Sequence, residues 1–191
     1  MESPLALHTL SSFFDGTDLF FIDAFKNSFD TLYLKKNDYL VKEGEVCQYF
    51  CFLEKGILQH AINTENEEKT TYLALPNTIT TSLKSFLTQS PSQKSIKAIA
   101  DTTLKTLSYE TFQHLLQNNP EFKQFYYSLI EKQICLIDDY RIDLLTLTPE
   151  ERYQKLLATE PKLLQEIPLH YLASFLGISS RHMSRIRQNI K

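Results

Sequence analysis

Hydrophobic and polar positions change their rhythm several times along the chain. Up to about Asp30, apolar residues at Leu19, Ile22, Phe25 and Phe29 recur at helical spacing behind Thr17, which suits a cap. From Thr31 to Ser108 that period gives way to short runs rich in Tyr, Phe, Ile, Leu and Thr. They are broken by the turn signals KKND, KEGE, EKG and NTEN. The pattern predicts strands near 31–34, 39–41, 49–53, 57–63, 69–75, 95–100 and 103–107, with a short helix around 82–88. So many short strands at close spacing suggest a small β-barrel or roll.

Helical spacing returns over 109–117 and again after Pro120, where the pattern runs to about Leu145. At 1.5 Å per residue that second helix is about 35 to 40 Å long. One seam reads Tyr126, Ile130, Gln133, Ile137, Tyr140 and Leu144, close to an a/d repeat. A helix with two apolar edges needs something on each side. One edge can pack on the roll, and the other suits a second copy of the chain as a homodimer. A core helix buried wholly within one chain is the plainer alternative. Next, LTLTPEERYQKLL holds Thr148 as N-cap, Pro149 at the first helical position and Glu151 three residues on, a capping box.

The last stretch, IPLHYLASFLGISSRHMSRIRQNIK, is organised around a corner. Pro168 suits a helix start, Leu172, Ala173 and Leu176 keep helical spacing, and Gly177 follows where the helix must stop with positive φ. Ser179 is a good N-cap for a second helix. On it Met183, Ile186 and Ile190 form one apolar stripe, with Arg181, Ser184, Arg185 and Gln188 opposite. The small Ala173 leaves room for two helices to cross steeply. The expectation is a helix-turn-helix, whose second helix enters a major groove and reads bases from its N-terminal half. Arg181 and Arg185 can each present a fork to guanine, and Ser180 and Ser184 are short donors. Arg187 and Lys191 suit phosphates, and His182 and His170 flank the turn, where they either touch phosphate or stand exposed and uninvolved.

Charge sharpens this picture. The segment from Ile167 carries +4 with no acid, inside a chain of net charge −3. An amphipathic hairpin whose basic residues merely complement a helix end, or dock a partner protein, remains the alternative. Otherwise composition is ordinary for a globular protein, with 42% hydrophobic and 23% charged residues. Apolar runs fall far short of the roughly 20 residues a membrane helix needs. MESPLALH lacks the basic start and long apolar core of a signal peptide, and three cysteines are an odd count. A cytoplasmic protein with no membrane partner is expected.

Catalytic and metal chemistry find little support. The glycines, Gly16, Gly44, Gly56 and Gly177, assemble neither a dinucleotide fingerprint nor a P-loop. Cys47 and Cys51 are spaced C-x₃-C without further ligands, Cys135 stands alone, and buried strand cysteines are the simpler account. His8, His60, His114, His170 and His182 are scattered. No enzyme, metal or cofactor is expected.

The order of helical segment, β-roll, long helix and terminal helix-turn-helix resembles the Crp/Fnr family of bacterial transcription regulators, in the form common in Bacteroidetes. KKNDYLVKEGEVCQYFCFLEKGIL, TPEERYQKLL and IPLHYLASFLGISSRHMSRIR carry the resemblance, which covers almost the whole chain. It implies an α+β fold, a jelly roll like cyclic-nucleotide-binding domains with flanking helices. The corresponding division is a sensor domain over 1–118, a dimerisation helix over 119–146 and a DNA-binding domain over 147–191. It also implies a homodimer on double-stranded promoter DNA, with RNA polymerase as a further partner if transcription is activated. In relatives that bind cyclic AMP, a Glu meets the ribose and an Arg the phosphate. Here those positions fall on about Lys84 and Lys94, beside Ser95, in TSLKSFLTQSPSQKSIKAIAD. A donor in place of an acceptor removes the ribose contact, and Lys lacks the fork of Arg. The resemblance therefore implies an effector pocket at Lys84, Lys94 and Ser95 that does not take cyclic AMP and whose ligand is unknown. Two solvated lysines on a loop are the simpler alternative.

Overall fold

The computed structural model describes residues 25–65, 67–159 and 161–189. The helical pattern expected before Asp30 falls mostly outside them; within them a 3-10 turn spans Lys26–Ser28. Eight strands follow: β1 (Asp30–Leu34), β2 (Tyr39–Val41), β3 (Tyr49–Lys55), β4 (Leu58–Asn63), β5 (Glu68–Ala74), β6 (Thr78–Thr80), β7 (Ser95–Ala98) and β8 (Thr102–Ser108). They pair antiparallel into two four-stranded sheets, β1-β8-β3-β6 and β2-β7-β4-β5, a jelly roll. Helix α1 (Leu83–Thr88) interrupts the strands where the sequence places it.

Strand β6 has no counterpart among the expected strands. It is three residues long and follows Asn77, held at φ +68°, so its membership is decided by pairing with β3 at Cys51–Leu53. Gly56 turns the chain from β3 into β4 at φ +98°, and a Cβ there would collide with Thr102 Oγ1 and the Asp101 carbonyl. Only glycine fits that approach.

Two helices close the roll. Ser108 caps α2 (Tyr109–Asn118), and Asn119 caps α3 (Pro120–Thr146), with Pro120 in the first turn. Phe112 on α2 is the hub of the roll's core, with ring centroids 5.0 Å from Phe50, 5.1 Å from Phe86, 5.6 Å from Phe122 and 5.1 Å from Tyr126. The last three are edge-to-face, and such pairs add about 0.5–1.5 kcal/mol beyond area burial.

The residues of the seam expected on the long helix divide between the side that faces the chain's own core and the side left open. Tyr126 is buried in its own roll, and Tyr140 stacks on Phe175 with 5.5 Å between centroids. Gln133 and Ile130 face the roll and a cavity beside it. The edge left open carries Tyr127, Ile134, Ile137, Leu144 and Leu145, with Ile134 61% and Leu145 78% exposed. Ile137 and Leu144 belong to both edges; Tyr126 and Tyr140 are occupied within the chain, because the aromatic rings they meet lie on that side.

The chain ends in α4 (Pro149–Thr159), α5 (Pro161–Glu166), α6 (Leu169–Leu176) and α7 (Ser180–Asn189). The capping box forms: the Thr148 N–H donates to Glu151 Oε2 at 2.8 Å, and the Glu151 N–H to Thr148 Oγ1 at 3.3 Å. These helices share one hydrophobic cluster with the roll. Ile57, Leu73, Leu75 and Ile99 pack with Tyr153, Leu172, Phe175, Met183 and Ile186. Ser174 clasps the joint by accepting the Thr70 N–H at 2.9 Å. No helix among the described residues is long and apolar enough to cross a membrane.

Candidate nucleic-acid interface and effector pocket

Helix α6 ends at Gly177, φ +71°, where the Ile178 N–H reaches back to the Ala173 carbonyl at 3.0 Å. This doubling back leaves a corner of three residues before α7. Ala173 is buried at the crossing, and the Ser179 hydroxyl accepts the His182 N–H at 3.2 Å as the cap of α7. Pro168 stands one residue before α6 as its N-cap rather than inside it. Met183 and Ile186 are fully inside.

The outer face of α7 shows Ser180, Arg181, Arg185 and Gln188 to solvent. Ser184 is half-buried and donates to the Ser180 carbonyl at 3.0 Å. Neither Arg181 nor Arg185 has an ion-pair or hydrogen-bond partner among the described residues.

Two other basic side chains are committed within the chain. Arg187 donates from Nε to Tyr153 Oη at 3.3 Å, and its Nη2 donates to the Leu164 carbonyl. It braces α7 against α4 and α5, where the sequence pattern placed it toward phosphate. His182 donates from Nε2 to Glu150 Oε1 at 2.7 Å. The backbone N–H of Glu150 and this histidine hold the Glu150 carboxyl below its usual range. That pairing was not legible, since Glu150 lies 32 residues away and reads as a helix-start acid. Lys191 lies outside the described residues.

Lys84 and Lys94 border one pocket of about 360 Å³ in the roll, with Ser82, Ser85 and Gln93. Lys84 is exposed; Lys94 is half-buried, and burial lowers its ammonium pKa. Ser95 turns into the wall, where its hydroxyl accepts the Glu43 N–H at 3.0 Å. Among the described residues no carboxylate lines this pocket.

A second cavity of about 420 Å³ lies beyond Lys94, between the roll, α3 and the terminal helices. His60 forms part of its wall, sharing a 2.7 Å hydrogen bond with Thr80 while its Nδ1 has no partner. Burial first, and Lys94 second, push the His60 pKa well below its ordinary value. In sequence His60 is one of five scattered histidines; the inward face of β4 gives it a role. Cys47 and Cys51 are buried and Cys135 is exposed, all unpaired. No group of three or more candidate metal ligands occurs among the described residues.

Residues 31–119 match the family model of the cyclic nucleotide-binding domain. No curated protein sequence matches the chain. Among solved structures, the chain is similar to FixK2 from Bradyrhizobium japonicum, at 14% identity and a TM-score of 0.72 over 85% of this chain and 84% of that one. It is similar to CLP, a c-di-GMP responsive global regulator from Xanthomonas campestris, at 16% identity and 0.69 over 92% and 91%. A transcriptional regulator assigned to the Crp/Fnr family from Eubacterium rectale matches at 14% and 0.67 over 93% and 83%. At these identities the likeness establishes the fold, which is that of the Crp/Fnr regulators.

Proposed function

We propose that the chain is a sequence-specific DNA-binding transcription regulator of the Crp/Fnr type, acting as a homodimer on double-stranded promoter DNA. Residues 147–191 would be the DNA-binding unit, 119–146 the dimerisation helix and the preceding roll the sensor. The observation that carries this reading is the split surface of α7. Its Met183 and Ile186 are sealed inside while Arg181 and Arg185 stand unpaired at its surface. Free guanidinium forks on a helix held by a glycine corner match how such helices address guanine edges. Ser180 and Ser184 are the accompanying short donors, and Lys191 is assigned to phosphate. Arg187 and His182 position the helix through Tyr153, Leu164 and Glu150.

The open edge of α3 supports the dimer. Tyr127, Ile134, Ile137 and Leu144 recur at a/d spacing and suit a second copy of the same helix. Cyclic AMP is not assigned as effector, because a ribose hydroxyl meets no carboxylate in the pocket between Lys84 and Lys94.

Selection of bound duplexes from a random pool tests the reading. It should enrich a near-palindrome with half-sites about 10 bp apart. Arg185→Ala should relax base preference at one position per half-site and cost about 1–3 kcal/mol. A pool that stays random at low salt would leave a protein-docking module as the better account.

A further inference from the structure

Resting on the regulator reading, we propose that Glu150 and His182 form a proton-linked phosphate clamp at the start of α7. Glu150 holds the imidazole through Nε2, and Nδ1, once protonated, donates to a backbone phosphate of the bound duplex. Each protomer then takes up a proton as it engages DNA.

The pair itself dictates where the hydrogens sit. His182 Nε2 stands 2.7 Å from Glu150 Oε1. The Glu150 N–H first, then His182, with Arg185 adding least, lower the Glu150 pKa, so a carboxylate faces the ring at neutral pH. A carboxylate only accepts, which assigns the hydrogen between them to Nε2. In a neutral imidazole that leaves Nδ1 a bare lone pair. This nitrogen has no hydrogen-bond partner among the described residues, on a side chain 34% exposed. A lone pair repels a phosphate oxygen, whereas an N–H on a charged ring makes a strong bond to it. The ring's charge also cancels that of Glu150, which would otherwise repel the duplex. Phosphate binding and protonation are therefore one event.

Position and surroundings support the same role. His182 is the third residue of α7, its own N–H capped by the Ser179 hydroxyl, and phosphate contacts come in part from helix N-termini. Arg181 and Arg185 lie exposed on the same helix. On α4, Glu151 is held by Thr148, and Arg152 donates to the Leu176 carbonyl. Arg187 is turned to the Leu164 carbonyl, and His170 of α6 lies against Tyr171. The arginines keep their charge at every working pH, while an imidazole changes its own between about pH 5 and 8. The sign follows: DNA is gripped best with the ring charged, and the grip weakens as pH rises.

Calorimetry of the full chain with a mixed-sequence duplex of about three helical turns tests the clamp. Repeated at neutral pH in buffers of different ionisation heat, it counts the protons taken up. The unaltered chain should take up protons and lose about tenfold in affinity between pH 6 and pH 8. In Glu150→Gln the amide can also donate to Nε2, which frees the neutral ring to carry its hydrogen on Nδ1. Proton uptake and pH dependence should then shrink together while affinity at pH 8 rises, a gain that a merely structural contact would not give. His182→Asn places a neutral donor near Nδ1 and should bind with no uptake. His182→Ala should lower the salt slope by about one per protomer. An unaltered chain that takes up no proton, an unchanged count in His182→Asn, or full pH dependence in Glu150→Gln would overturn the clamp. Linked proton uptake on a pool that stays random would sink the sequence-specific reading and leave the clamp; an enriched palindrome bound without uptake would do the reverse. A chain that binds no duplex at either pH would lose both.

Discussion

The two parts of the long helix share one backbone, aromatic-rich in the first and rich in Ile, Leu and charge in the second, and they do different work. From Pro120 to Leu129, Phe122, Tyr126 and Leu129 are sunk in the roll's core and Phe125 is buried beside Phe122, none more than 7% exposed. From Ile130 onward none of the residues is fully buried, and Ile134, Ile137, Ile142, Leu144 and Leu145 lie open. Tyr140 is half-buried against Phe175, with its hydroxyl donating to the Phe175 carbonyl at 3.4 Å. Burial raises its phenol pKa, so that proton stays in place at neutral pH. The first part is thus core and the second is a surface tethered at Tyr140 and at Asp143, which pairs with Lys155 of α4. A helix anchored at one end can pass a displacement on from the roll to the terminal helices, because its free half is not locked to the same core.

The contrast can be broken at defined points. Phe122→Ala removes a ring from the aromatic cluster and should cost about 3–5 kcal/mol of global stability in urea unfolding. A loss below 1 kcal/mol would mean the first half is not core. Tyr140→Phe keeps the stacked ring and removes one long hydrogen bond, a loss of about 0.5–1.5 kcal/mol. Hydrogen exchange should show it in Leu169–Leu176 while the roll stays protected; faster exchange throughout the roll would contradict a local tether. Ile134→Asp should change protomer stability by no more than about 0.5 kcal/mol, as exposed substitutions do. Its effect should appear in sedimentation instead, as loss of the dimer; an unfolded protomer would show that the open edge is core after all.

Much of the architecture was legible because local chemistry decided it. Gly177, Ser179, Thr148 and Pro149 act through their own backbone neighbours, so the corner and the caps could be placed from residue type alone. Seven of the eight strands announced themselves by β-branched and aromatic runs between turn signals. Strand β6 did not, since three residues carry no period and only the edge of β3 makes them a strand. The free arginines of α7 were visible in its stripe, but Arg187 was not distinguishable from them. Its partners, Tyr153 and Leu164, come from other helices.

The sequence by itself determined most of the elements, the corner before the last helix and which face of that helix is apolar. These depend on interactions within a few residues. Tertiary structure decided which row of the long helix is free: Tyr126 and Tyr127 are both apolar beside the same Ile130–Ile137–Leu144 line, and heptad counting cannot choose between them. The rings of Phe50, Phe112 and Phe175 choose, by drawing Tyr126 and Tyr140 inward and leaving Ile134 outside. The same long-range packing brings Lys94 of the roll and Phe175 of α6 to one cavity, a meeting set by the path of the whole chain.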